Sequence, residues 1–178
     1  MFFLDCEASS LDREHSYPVE IAWGELGSGT VRSFLIDPTT IESWTDWDAE
    51  AEAVHGLSRA FLAEHGLPPR DVARELAEQL PGQIVWTTAP EDRAWVNELT
   101  LRTRGTQLAI LWRSANDHFA ELARGRTDLV EAAKRQAWDH LVAEGIRPHR
   151  AANDVLHMRE TRRILQRNTP GPDNPGPR

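Results

Sequence analysis

Three separate apolar runs within the first 36 residues constrain the fold more than anything else in the chain. Met1 to Cys6, Val19 to Leu26 and Val31 to Ile36 are short, and each reads as a strand. Gly27-Ser28-Gly29 joins the last two as a hairpin, and Asp37-Pro38 ends the third, because proline has no amide hydrogen to give a ladder. A loop holding Trp44 and Trp47 follows, then an Ala/Glu-rich stretch leading to His55-Gly56-Leu57-Ser58. Beyond it the period changes. Val72, Leu76 and Leu80 recur every four residues between Pro68-Pro69 and Pro81-Gly82, which predicts an amphipathic helix over 70–80. Gln83 to Thr87, a turn at Ala89-Pro90 and helical spacing at Trp95, Val96 and Leu99 make a strand-turn-helix unit. Gln107 to Trp112 reads as a further buried strand, and 116–124, 128–143 and 150–165 read as helices. Strands alternating with helices after an opening hairpin predict an α/β fold with a mixed central β-sheet of about five strands, flanked by helices.

A chain of 178 residues, 40% of them hydrophobic, suits one domain with a real core. That domain is expected over 1–166, and the Pro/Gly-rich segment 167–178, almost free of apolar residues, is expected to be a disordered tail. No basic region precedes the first apolar run, and no stretch approaches the roughly 20 apolar residues of a membrane span, so neither secretion nor membrane insertion is expected. The single cysteine, Cys6, cannot form an internal disulfide, which fits a cytoplasmic location. A net charge of -8 argues against a broad cationic surface gripping long duplex DNA. It leaves room for a site that meets phosphate through bound metal, where acidic residues belong at the centre. Short or single-stranded nucleic acid fits that balance.

The acids with the most telling placement are Asp5 and Glu7, at the end of the first strand. Residues two apart in a strand share a face, so both carboxylates leave the strand end together and can hold a divalent ion. The pattern alone is weak, since 28 acidic residues generate roughly four such triplets by chance. Asp92 falls where a strand passes into a helix, and there it can equally serve as a first-turn acid complementing the helix dipole. His149 and Asp154 open the last predicted helix. Were both helical, they would lie roughly 140° apart around the axis, so His149 is expected on the entering loop, with its ring beside a site faced by Asp154.

Taken in order, Asp5-x-Glu7, Asp92 and His149-x-Ala151-x-x-Asp154 resemble the DnaQ-like 3′-5′ exonucleases of the DEDDh type, which have a ribonuclease H-like fold. Further matches are Phe3-Leu4-Asp5-Cys6-Glu7-Ala8-Ser9-Ser10-Leu11, Val54-His55-Gly56-Leu57-Ser58 and Ala89-Pro90-Glu91-Asp92-x-x-Trp95. Glu91 is a rival for the third acidic position; Asp92 is preferred because it stands three residues before Trp95. The resemblance implies that Asp5, Glu7, Asp92 and Asp154 hold two divalent metal ions, Mg²⁺ or Mn²⁺, and that His149 deprotonates the attacking water. It also places Ala8 and Ser9 beside the terminal nucleotide and His55 near its sugar or base. The implied reaction releases nucleoside 5′-monophosphates from a free 3′ end of single-stranded or frayed DNA or RNA. Hard oxygen ligands suit those ions, and histidine titrates nearest neutrality. The alternatives are an oligoribonuclease-like enzyme acting on very short RNA, a non-catalytic binding or regulatory member of the fold, and a proofreading subunit that depends on a polymerase. Trp44 and Trp47 are read as loop residues pinned to the core, with base stacking as the competing role.

Overall fold

Side-chain alternation along β1 (Phe2–Ala8) sets the architecture. The structure, a computed structural model, describes residues 1–12 and 14–168. Leu4, Cys6 and Ala8 enter one hydrophobic core, whereas Phe3 enters a second core on the opposite face of the sheet. Period-two alternation therefore sends Asp5 and Glu7 to the side of Phe3.

β1 is the middle strand of five, with β2 (Pro18–Glu25) and β3 (Val31–Leu35) on one side and β4 (Ile84–Thr87) and β5 (Leu111–Ser114) on the other, in the order β3-β2-β1-β4-β5. β1, β2 and β3 pair antiparallel, while β4 and β5 run parallel to β1, so the sheet is mixed. The hairpin thus supplies two of the five strands on one side of β1, and strand-helix units supply the two on the other. The hairpin, the helix over 70–80 and the final helices stand where the sequence puts them.

α3 (Pro69–Gln79) and α4 (Glu91–Arg104) cover one face, placing Leu76, Val96 and Leu99 against Leu4, Ile21 and Trp23. α5 (Ala115–Leu122), α6 (Thr127–Ala143) and α7 (Ala151–Asn168) cover the other, with Phe119, Ala137, Val155 and Met158 around Phe3 and Ala22. Each large side chain buried this way contributes about 1.5–3 kcal/mol. α7 extends through Asn168, and the rest of the expected tail, 169–178, lies outside the described residues. None of the helices described is long and apolar enough to cross a membrane.

Two local readings differ from the structure. The strand expected over Gln107 to Trp112 is not a buried one. β5 starts only at Leu111, lies at a sheet edge, and leaves Leu111 51% exposed. The Ala109 carbonyl accepts from the Gly82 amide and the Leu111 amide donates to Gln83, so ladder register begins late. The sequence also hides two short helices in the connection from β3, α1 (Ala49–His55) and α2 (Arg59–His65), capped by Asp48 and Ser58. Gly66 ends α2 where a Cβ would stand 2.5 Å from the Asp37 nitrogen and the Leu62 oxygen, both backbone atoms. Only glycine allows the α2 terminus to lie that close to the end of β3.

Candidate active site

The carboxylates gather where the C-terminal end of β1 meets the start of α7. Among the described residues, Asp5, Glu7 and Asp154 each offer an oxygen within 4.8 Å of the others. The three line a cleft of about 460 Å³ together with Asp92, His55 and His149. Burial pushes the Asp5 carboxyl well above the usual range, and the charges of Asp92, Asp154 and Glu7 push it further. Glu7 is pushed up to about 8 by burial and then by Asp154 and Glu20, with Arg150 opposing. Asp154 is raised to about 6 by burial, opposed by His149. Carboxyls this unwilling to ionise together suit a bound dication, whose charge would offset the repulsion.

Asp92 lines the same cleft but lies outside that three-oxygen group. It is 1% exposed; its Oδ1 accepts the Cys6 amide at 3.1 Å, and its Oδ2 is buried with no hydrogen-bond partner. Burial raises its pKa as well, against the backbone hydrogen bonds from Cys6 and Ala89. An orphaned buried carboxylate oxygen is costly unless a proton or cation meets it, so the residues present fit a hard metal ion. Cys6 itself faces the opposite core, and burial followed by the nearby acids pushes its thiol far from ionisation.

His149 stands exposed on the loop before α7, as its spacing from Asp154 requires. Its backbone is left-handed, with φ 63°, a conformation costing a non-glycine residue on the order of 1 kcal/mol. The His149 amide donates to Asp154 Oδ2 at 3.0 Å, fixing the loop to the carboxylate. Glu20 holds the same corner from beneath. On β2 it pairs directly across from Glu7, is 1% exposed, and accepts from Arg150 Nε at 2.8 Å, Ser33 Oγ at 2.7 Å and the Ala151 amide at 3.3 Å. Sequence reading missed Glu20. Its signal was a lone charge inside the apolar run Val19-Glu20-Ile21-Ala22-Trp23, where an unpaired carboxylate would be costly.

Ala8 and His55 line the cleft, and Ser9 does not. The Ser9 hydroxyl is spent internally, accepting from the Tyr17 amide at 3.1 Å and donating to Asp46 at 3.3 Å; Ser10 lines the cleft instead. His55 Nδ1 accepts the Leu57 amide at 3.0 Å, which assigns the ring proton to Nε2. That nitrogen lies near the Ala8 carbonyl without a hydrogen bond of normal geometry, and burial lowers the ring's pKa. Exposed Leu11 and Val54 give the rim an apolar surface that sequence reading did not anticipate. Trp44 is buried, stacked on Tyr17 at 4.8 Å and bonded to Glu98, and half-buried Trp47 bonds to Glu52, so both pin the loop.

No established protein-family profile matches the sequence, and no curated protein matches it. Solved structures do. Exonuclease I from Methylocaldum szegediense, a moderately thermophilic enzyme, superposes with a TM-score of 0.68 at 18% identity, over 95% of this chain and 40% of that one. The zinc-bound complex of E. coli exonuclease I with single-stranded DNA gives 0.66 at 14% identity, over 95% of this chain and 40% of that one. The same enzyme with a dA16 oligonucleotide gives 0.63 at 14% identity, over 94% and 41%. The chain spans about 40% of the length of these relatives in structure. It has the ribonuclease H-like α/β fold, with a mixed five-stranded sheet between two helical layers, that underlies these exonucleases.

Proposed function

We propose that this chain is a metal-dependent 3′-5′ exonuclease of the DEDDh type, releasing nucleoside 5′-monophosphates from single-stranded or frayed nucleic acid. The observation that carries the reading is the meeting of Asp5, Glu7 and Asp154 beside His149, on a fold shared with exonuclease I. Asp5, Glu7 and Asp154 would hold a divalent ion, with the unpartnered Oδ2 of Asp92 completing a set for two, Mg²⁺ or Mn²⁺. When bound, such ions supply an acidified water and charge stabilisation at the leaving 3′ oxygen.

The chain's own groups do the rest. His149 accepts the proton of the attacking water at a ring nitrogen, and its backbone tie to Asp154 keeps the loop that carries it beside the carboxylates. His55, fixed by the Leu57 amide at its Nδ1, lies in the cleft wall near the sugar or base of the terminal nucleotide. Ala8 leaves room for that nucleotide, Ser9 holds the wall through Asp46 and Tyr17, and Leu11 and Val54 offer apolar contact to a base. The net charge of -8 and the absence of membrane-spanning helices among the described residues are compatible with a cytoplasmic enzyme.

The test is cleavage of 5′-labelled single-stranded DNA and RNA with Mn²⁺. Wild type is expected to shorten the strand, and Asp5→Asn and His149→Ala to lose about 10²–10⁴-fold in kcat. Cleavage confined to dinucleotides would favour the oligoribonuclease-like reading. Binding without metal-dependent cleavage would favour the non-catalytic one and overturn the proposal.

A further inference from the structure

The acidic cleft ends at Ala89, and on the far side of that residue a second groove of about 270 Å³ opens over the ends of β4 and β5. The two differ sharply in charge. Six carboxylates line the cleft, at Asp5, Glu7, Asp48, Glu50, Asp92 and Asp154. The groove has none, and takes its charge from Arg93 and Arg113. Arg93 follows Asp92 on α4, and one helical step of about 100° turns successive side chains to different faces, so Asp92 lines the cleft and Arg93 the groove.

Neither guanidinium group has a carboxylate partner among the described residues. Among the described residues, Arg93 makes neither hydrogen bond nor ion pair, and Arg113 bonds only to the Trp112 carbonyl at 3.2 Å. Several arginines elsewhere are ion-paired, Arg32 with Glu75, Arg74 with Asp71, Arg102 with Glu98 and Arg163 with Glu160. What sets Arg93 and Arg113 apart is that they share one groove whose lining has no carboxylate, directly beside the acidic cleft. Half-buried Trp112 adds an aromatic face beside them. The volume lies below the ~300–1,000 Å³ of enclosed small-molecule sites, which fits a shallow contact with one link of a polymer.

We propose that this groove binds the sugar-phosphate backbone of single-stranded nucleic acid immediately beyond the nucleotide held in the cleft. The proposal rests on the exonuclease reading for the identity of the strand. Arginine forks grip phosphate oxygens without reading sequence, and an aromatic face accepts any base. The contact makes affinity depend on strand length while leaving the chemical step alone.

The experiment compares wild type, Arg93→Ala, Arg113→Ala and the double variant on a labelled single-stranded oligonucleotide and on p-nitrophenyl thymidine 5′-phosphate, which fills only the cleft. Both arginines are exposed, so the variants are expected to fold. KM for the oligonucleotide is expected to rise about three- to tenfold per arginine, with kcat unchanged and the small ester cleaved as by wild type. The dependence of log affinity on log salt should flatten by about 0.7 per arginine removed, and lysine at either position should restore most of it. An unchanged oligonucleotide KM and salt slope in the double variant, or an equal loss on the small ester, would overturn the groove. Should wild type cleave neither substrate, the exonuclease reading falls, and oligonucleotide binding with its salt slope still decides the groove.

Discussion

Replacing Glu7 by glutamine is expected to stabilise the metal-free protein at pH 8 while destroying its response to metal. The folded state raises the Glu7 carboxyl from 4.5 to about 8. Between those values the native protein keeps a proton that the unfolded chain has lost, so the native state binds more protons and stability falls as pH rises. One pH unit in this window costs about 1.4 kcal/mol, giving roughly 4 kcal/mol of lost stability by pH 8 for Glu7 alone. Protons shared with Asp5 and Asp154 reduce this, and an effect on the order of 2–3 kcal/mol is expected. Glutamine has the same shape and never ionises. Urea denaturation of EDTA-treated protein should show Glu7→Gln more stable than wild type by that amount at pH 8 and nearly equal to it at pH 5, where Glu7 is already largely protonated. Added Mn²⁺ should stabilise wild type, most at pH 8, and the variant little. Equal stabilities at both pH values, or a variant weaker at pH 8, would refute a strained carboxylate cluster.

Glu20→Ala removes the acceptor beneath the α7 corner and leaves the buried Ala151 amide and the partly exposed Arg150 guanidinium unpaired, so a loss of about 1–3 kcal/mol is expected by denaturant unfolding. Adding Arg150→Met should recover part of that stability without recovering kcat, because His149 remains untethered from β2. Gly66→Ala forces a Cβ to 2.5 Å from two backbone atoms that no rotamer change can move, and should cost at least about 1–3 kcal/mol, measured in the same way.

Much of this architecture was legible because its signals are local. The strand runs, the four-residue spacing over 70–80 and the Ala89-Pro90 turn each report backbone geometry within a few residues. The order of strands and helices then left few ways to build the sheet. β5 was misplaced because the run from Gln107 to Trp112 is apolar for a different reason. Ile110 and Leu108 pack on the core before the ladder begins, and periodicity cannot distinguish a buried approach from a strand. Within the site, period two gave Asp5 and Glu7 a common face, and the helical angle kept His149 off α7. Glu20 shows locally only as a lone charge in an apolar run, and Arg93 and Arg113 carry no local signature. Glu20 acquires its place only when β2 pairs with β1 and α7 docks, and the two arginines meet only because β5 lies beside β4. Ser9 is placed beside the terminal nucleotide by the family resemblance, and it is the fold that gives its hydroxyl to Asp46 and Tyr17.

The central claim is metal-dependent hydrolysis that proceeds one nucleotide at a time from the 3′ end. Its most direct measurement follows a uniformly labelled single strand with a 5′ fluorophore in the presence of Mn²⁺, resolving both the shortening fragment and the released product. The account predicts a ladder that shrinks while retaining the 5′ fluorophore, nucleoside 5′-monophosphate as the released species from the earliest time, and no reaction in EDTA. Immediate loss of the 5′ label, internal cuts, products carrying a 3′-phosphate, or undiminished cleavage without metal would contradict it.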